Sequence, residues 1–324
     1  MNRRSHPIPP LRAVQPELDQ VEGLLQAAIA DAGEQLRRAV LPHLSGGKRL
    51  RAGLILLLGR QLDAPVGPLC RLAAAVEMLH AATLVHDDII DGADLRRGVP
   101  TLHSLLPTSA AILAGDYLFA RSVALVAELE NPRLLGSLAE GLKRTSAGEI
   151  DEALRDGPGA RSKSQYYRSI EAKTAALFAA SAAMAAMVAG ADDKTVRTCG
   201  AFGRELGLAF QVVDDVLDLD GSPDRLGKPA GGDLRQGLAT LPVLLFLEQG
   251  EDTESVRRIL AGDGDQALLE AAIRDIRASG ALDQAMAEAR RFSAQAKCLL
   301  DTLPGGAASA DLASLLDYVV ERRA

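Results

Sequence analysis

Apolar residues recur at three- and four-residue intervals along almost the whole chain, and the alternating pattern of a strand is nearly absent. Leu69, Leu72, Ala73, Val76, Leu79 and Leu84 set a helix from Val66 to about Asp94, with Pro65 at its start and Gly92 and Gly98 where regularity ends. The pattern predicts a helix from about Ser109 to Glu128, then another from Pro132, capped by Asn131, to about Arg155. Gly157-Pro158-Gly159 reads as a loop, Ser164 as the cap of the helix carrying Lys173, and Asp192-Asp193 as the start of a helix reaching about Leu219. A polar, Gly-rich stretch runs from Gly221 to Gly237. After Leu241-Pro242 the helices shorten and gain charge, and Pro304-Gly305-Gly306 precedes a last helix from about Ala310. No repeat or long linker divides the sequence. The expectation is an all-α, single-domain antiparallel bundle over residues 17–324, preceded by a flexible arm at residues 1–16.

Composition narrows the function. With 48% hydrophobic and 24% charged residues among 324, the chain is neither disordered nor a coiled coil. A net charge of −7 excludes an extended nucleic-acid footprint, and 3% aromatics without Trp exclude base-stacking platforms. Cys70, Cys199 and Cys298 are odd in number and far apart, which points to a reducing cytoplasm. The N-terminus lacks the apolar core of a signal peptide. The one long uncharged run, Thr174 to Ala191, is mostly Ala and Ser, so a helix packed inside protein is expected and no transmembrane segment.

Chemistry concentrates in two acidic clusters. In His86-Asp87-Asp88-Ile89-Ile90-Asp91, Asp87 and Asp91 share one helical face with Asp88 at its edge. Three carboxylates among Leu84, Val85, Ile89 and Ile90 repel unless cations intervene, and hard oxygen donors on a helix suit Mg²⁺. The plainer reading is an acidic helix end paired with Arg96 and Arg97. One such spacing arises by chance in roughly one chain of this size in twenty, but Asp214-Asp215-Val216-Leu217-Asp218 repeats it on another apolar helix. Two triads could face each other across a cavity and hold several Mg²⁺ around a polyanion such as a diphosphate. Basic residues lie beside them: Gly46-Gly47-Lys48-Arg49-Leu50-Arg51, Arg96-Arg97, Lys173-Thr174 and Lys228. Each cation alone reads more simply as a solvated surface group. His80, two turns before Asp87, reads equally well as a site residue or a core histidine.

The run GGKRLRA, the segment EMLHAATLVHDDIIDGADLRRG, Lys173-Thr174, FQVVDDVLD and GKPAGGDLRQGLATLP together resemble the trans-isoprenyl diphosphate synthase family, in order, from about Leu24 to Phe246. The resemblance implies an all-α bundle around a deep central cavity, as a homodimer. It implies a transferase joining isopentenyl diphosphate head to tail to an allylic diphosphate (dimethylallyl, geranyl, farnesyl or geranylgeranyl). By resemblance Asp87, Asp88, Asp91, Asp214, Asp215 and Asp218 are ligands of three Mg²⁺ ions. Arg96, Lys173 and Lys228 resemble the cations that hold the allylic diphosphate, and Lys48, Arg51, His80 and Arg97 the isopentenyl diphosphate pocket. Thr174 and Gln211 correspond to groups beside the allylic carbon. Ala52 replaces a usual Pro, and Leu238 stands where many short-chain members carry Lys.

Chain length in such enzymes depends on what blocks the cavity below the first Asp cluster. Ala81, Ala82 and Thr83 are small where short-chain members place an aromatic floor, so the floor falls to residues such as Leu134, Leu138 or Leu142. A product longer than farnesyl diphosphate, about C30 to C50 by the resemblance, is expected, with geranylgeranyl or farnesyl diphosphate as the alternative. Three rivals remain. A His/Asp phosphohydrolase lacks further His after His103, a terpene cyclase usually has a different second cluster, and a non-catalytic subunit of a heteromeric synthase tends to lose both clusters.

Overall fold

The computed structural model describes residues 8–96, 98–154, 161–221, 230–250 and 253–322. A 3₁₀ turn, Pro9–Val14, leads into α1 (Gln15–Ala28), α2 (Glu34–Leu44), α3 (Leu50–Gln61) and α4 (Val66–Ile90). The two-residue strands β1 (Leu95–Arg96) and β2 (Val99–Pro100) pair antiparallel, and α5 (Leu102–Leu105), α6 (Thr108–Ala127) and α7 (Pro132–Ala153) follow. Next come α8 (Lys163–Ile170), a π turn (Glu171–Ala175), α9 (Ala176–Val188) and α10 (Asp193–Asp220). The described remainder comprises α11 (Gly232–Arg235), α12 (Leu241–Gln249), α13 (Glu254–Leu260), α14 (Gln266–Ala278), α15 (Ala281–Leu300) and α16 (Ser309–Glu321). The all-α expectation holds.

The chain groups into two compact units. One comprises Met1–Ala139, Ala180–Gly200 and Thr302–Leu315; the other comprises Glu140–Ala179, Ala201–Asp301 and Leu316–Ala324. In the first, α4 is the core helix and packs on α6, α3 and α1. Its middle, Leu72 to Leu79, is buried all round, which explains why it carries no single apolar stripe. Gln61 closes this unit near its end, donating to the Pro304 carbonyl at 2.6 Å and accepting from the Ala308 N–H at 3.2 Å. In the second, the buried face of α10 presents Phe202, Leu206, Val212, Val213 and Val216, and Phe210 meets Phe178 with ring centroids 5.6 Å apart.

Local sequence signals explain most boundaries. Asn131 accepts from the Arg133 N–H at 3.1 Å and Asp192 from the Thr195 N–H at 2.7 Å, so both act as the expected caps. Gly92, at φ 60°, follows the end of α4. Two expectations need correction. The cap of α8 is Ser162, not Ser164, because Gln165 lies three residues after Ser162 and completes a capping box with it. The arm does not extend to residue 16, because Leu11 and Val14 are both 1% exposed and dock the 3₁₀ turn on α1 and α3. The break at Gly157-Pro158-Gly159 lies outside the described residues.

Three described helical segments, not one, are long and apolar enough to cross a membrane by length and composition: Val66–Ile90, Thr108–Ala127 and Lys163–Val188. The first and third bury most of their apolar window inside the protein, whereas α6 buries only 39% of its own. Ile112, Leu113 and Phe119 of α6 are exposed, Leu113 to 65%.

Replacing Leu11 by Ala removes a fully buried side chain and is expected to cost about 2–5 kcal/mol, measured as a fall in the urea midpoint without change of slope.

Candidate active site

In the first unit, Asp87 and Asp88 lie in the last turn of α4 and Asp91 caps its end. Asp88 is 2% exposed, Asp87 half-buried and Asp91 exposed. The chain then turns through β1 and β2, and this hairpin returns Arg96 to Asp88, with Nε donating at 2.7 Å. The plainer sequence reading, an ion pair at a helix end, is therefore physically present. His86 lies against Gly115 of α6, its Nε2 3.1 Å from the Ile112 carbonyl and 3.6 Å from Asp116, and so ties α4 to α6. His80 is half-buried, and its carbonyl accepts from the Thr83 hydroxyl at 2.9 Å. Ala81 and Ala82 are buried.

His43 of α2 was not singled out by sequence. Burial lowers its pKa, with nearby Asp88 opposing, so the imidazole is neutral at pH 7. In the basic run, Gly46, Gly47 and Arg49 all have positive φ. Arg49 stabilises this bend by donating to Glu22 at 2.6 Å, to Glu77 at 3.0 Å and to the Leu44 carbonyl. Arg49 is thus structural, leaving Lys48 exposed in the loop and Arg51 half-buried in the first turn of α3.

In the second unit, each carboxylate of the second triad has a partner from outside its helix or one turn away. Arg322 Nη2 forms an ion pair with Asp214 at 2.7 Å. Tyr166 of α8 donates its hydroxyl to Asp215 at 2.6 Å, and Gln211 donates to the other oxygen at 2.8 Å. Asp218 accepts from the Asp233 N–H at 3.1 Å, which secures α11. Asp215 is 3% exposed. Burial first, then the Asp233 and Asp214 carboxylates, push its carboxyl far above the usual range, although the Tyr166 and Gln211 hydrogen bonds oppose this. Burial also raises the Tyr166 phenol, so it stays a donor.

The π turn presents Lys173 and Thr174. Thr174 donates to Gln211 at 2.7 Å, making a chain Thr174–Gln211–Asp215. Lys173 pairs with Glu149 at 2.9 Å and Glu152 at 3.5 Å on α7. Glycines let two helices approach this turn closely. A Cβ on Gly148 would lie 2.7 Å from Ala172 Cβ, and one on Gly207 would lie 2.7 Å from Ala175 Cα.

Of the sequence candidates, the structure therefore links Asp88 with Arg96, and Thr174 and Gln211 with Asp215. Arg97 and Lys228 lie outside the described residues. Tyr166, Arg322 and Glu149 were missed. Tyr166 precedes Lys173 by two turns, which is a usable signal, whereas Arg322 carries none in sequence. Among the described residues no three His, Cys, Asp or Glu side chains converge as a metal cage. The triad carboxylates instead turn to Arg96, Arg322 and Tyr166. The donor set still fits a hard divalent cation: each helix end carries three carboxylates, all of them hard oxygen donors.

A model of the polyprenyl synthetase family matches residues 34–276. The chain belongs to that family. It is a prenyltransferase, and its relatives match along nearly its whole length. It is 39% identical over 310 residues to heptaprenyl diphosphate synthase component 2 of Geobacillus stearothermophilus, covering 94% of this chain and 96% of the relative. It is 35% identical over 317 residues to nonaprenyl diphosphate synthase of Mycobacterium tuberculosis, covering 96% and 93%. The crystal structure of polyprenyl synthase from Caulobacter crescentus, complexed with calcium and isoprenyl diphosphate, superposes with a TM-score of 0.92 at 35% identity, covering 99% and 100%.

The close approach at Gly207 generates a test. In this prenyltransferase Gly207→Ala pushes on backbone of the π turn and displaces Lys173 and Thr174. A loss of about tenfold or more in kcat, read in a prenyl-transfer assay, is expected alongside a lower melting temperature.

Proposed function

We propose that this enzyme extends an allylic diphosphate with isopentenyl diphosphate units to an all-trans polyprenyl diphosphate of about C30 to C50. The observation that carries the site reading is the matched environment of Asp88 and Asp215. Each is the second carboxylate of its triad, nearly fully buried on a long helix, and held by a donor from another element. In this reading Asp87, Asp88, Asp91, Asp214, Asp215 and Asp218 hold Mg²⁺ against the allylic diphosphate, three ions in all. When bound, the metal would polarise the diphosphate and help it depart as a leaving group.

The chain's own residues do the rest. Arg96, Lys173 and Lys228 hold the departing diphosphate, and Lys173 comes to it from its pairs with Glu149 and Glu152. Thr174 and Gln211 direct oxygens toward the allylic carbon as positive charge develops there. Lys48, Arg51, His80 and Arg97 bind isopentenyl diphosphate. Its double bond attacks the allylic carbon, the new C–C bond forms, and a proton leaves to the released diphosphate. Around these groups the apolar helices exclude water, which would otherwise quench the cation.

The small buried Ala81 and Ala82, with Thr83, support a long product, as do the names of the hepta- and nonaprenyl relatives. We place the enzyme in the cytoplasm as a homodimer, joined through the exposed apolar residues of α6. One relative is named as component 2 of its synthase, which favours a second reading, association with a different subunit. Sedimentation of the purified chain separates the two: a dimer that is active alone supports the first, and activity only after a partner is added supports the second.

The reaction is tested by incubation with labelled isopentenyl diphosphate and each allylic primer, with chain length read by chromatography. Products beyond fifteen carbons that vanish with EDTA are expected, and Asp88→Ala or Asp215→Ala should lower turnover at least about a hundredfold. Ala82→Phe should shorten the product. A wild-type product stopping at fifteen carbons would sink the chain-length reading while leaving the activity.

A further inference from the structure

Arg322 stands one position beyond α16 and last among the described residues. Its Nη2 donates to the Phe210 carbonyl at 2.7 Å and forms an ion pair with Asp214 at 2.7 Å, and its Nε donates to the Val319 carbonyl at 3.3 Å. The guanidinium also lies over the Phe210 ring, 4.0 Å from its centroid. Its side chain is 3% exposed, whereas that of Asp214 is 41% exposed. Desolvating an arginine this fully is unfavourable unless it is paired, so the seat is specific.

A guanidinium and a divalent cation on one carboxylate repel each other. The Phe210 carbonyl and ring hold the guanidinium independently of Asp214, so an arriving metal need not expel it from the protein. Arg322 also lines a cavity of about 570 Å³ whose wall carries the carboxylates Asp220 and Glu321 and a second guanidinium, Arg290.

We propose that Arg322 is the built-in counter-ion of the second triad and competes with Mg²⁺ for Asp214. Metal then loads there readily only together with a diphosphate, whose negative charge offsets the guanidinium. This rests on the reading of Asp214 as a metal ligand.

The test uses Mn²⁺ alone as the probe, with the unbound ion counted by electron paramagnetic resonance of the full-length enzyme. Without diphosphate, Arg322→Leu and Arg322→Gln should bind Mn²⁺ about tenfold more tightly than the parent. Arg322→Lys, which keeps the charge, should stay near the parent. Added inorganic diphosphate should narrow the difference, and Asp214→Asn should abolish the gain. Equal or weaker Mn²⁺ binding by both neutral variants, with native circular dichroism, overturns the proposal. If the Leu variant does not fold, the Gln variant, which keeps a donor for the Phe210 carbonyl, decides alone. Mn²⁺ binding indifferent to Asp214→Asn in the parent overturns the metal reading itself, a distinct result.

Discussion

Carboxylates placed in groups on apolar helices must be compensated, and much of the described structure answers that requirement. Asp88 and Asp215 are too buried for water to screen them. The first is met by a guanidinium on a short hairpin, the second by a phenol and an amide. The difference matters. Arg96 brings a full charge, whereas Tyr166 and Gln211 bring only dipoles, and burial still holds the Asp215 carboxyl above the usual carboxylate range.

The surrounding architecture is shaped by the same need. The hairpin that carries Arg96 consists of four paired residues, too few to be stable alone, and the Thr101 hydroxyl anchors it by donating to the Ala93 carbonyl at 2.6 Å. In the second unit, Lys173 does not wait in solvent. Glu149 and Glu152 hold it, and Glu152 is itself engaged by the Ser169 hydroxyl at 3.0 Å and by Arg161 at 3.7 Å. A lysine shared between two glutamates loses little rotamer entropy when an anion replaces them.

The helical fold was legible because caps and breakers agree with the apolar period: Asn131 before Pro132, Asp192 before α10, and Gly92 after α4. The triads were legible because a doubled spacing is rare. What sequence did not show depends on tertiary approach. Ser162 and Ser164 differ as caps only through Gln165, and the docking of Leu11 depends on α1 and α3 being beside it. Arg49 looked like one more cation of the basic run, yet Glu22 and Glu77, far away in sequence, take it for the fold. Arg322 pairs with a residue more than a hundred positions earlier, which no local pattern encodes.

The π turn between α8 and α9 has a consequence for angular register. Tyr166 and Thr174 are eight residues apart, and at about 100° per residue a regular helix would point them about 80° away from each other. A π turn absorbs about one residue, which brings them to within about 20°. Both then reach α10, Tyr166 at Asp215 and Thr174 at Gln211. The surplus residue in Glu171–Ala175 therefore works as a phase corrector. Rewinding the turn as regular α-helix with no residue removed would leave every side chain present, yet rotate Thr174 by about 100° away from the chain of hydrogen bonds that it now begins.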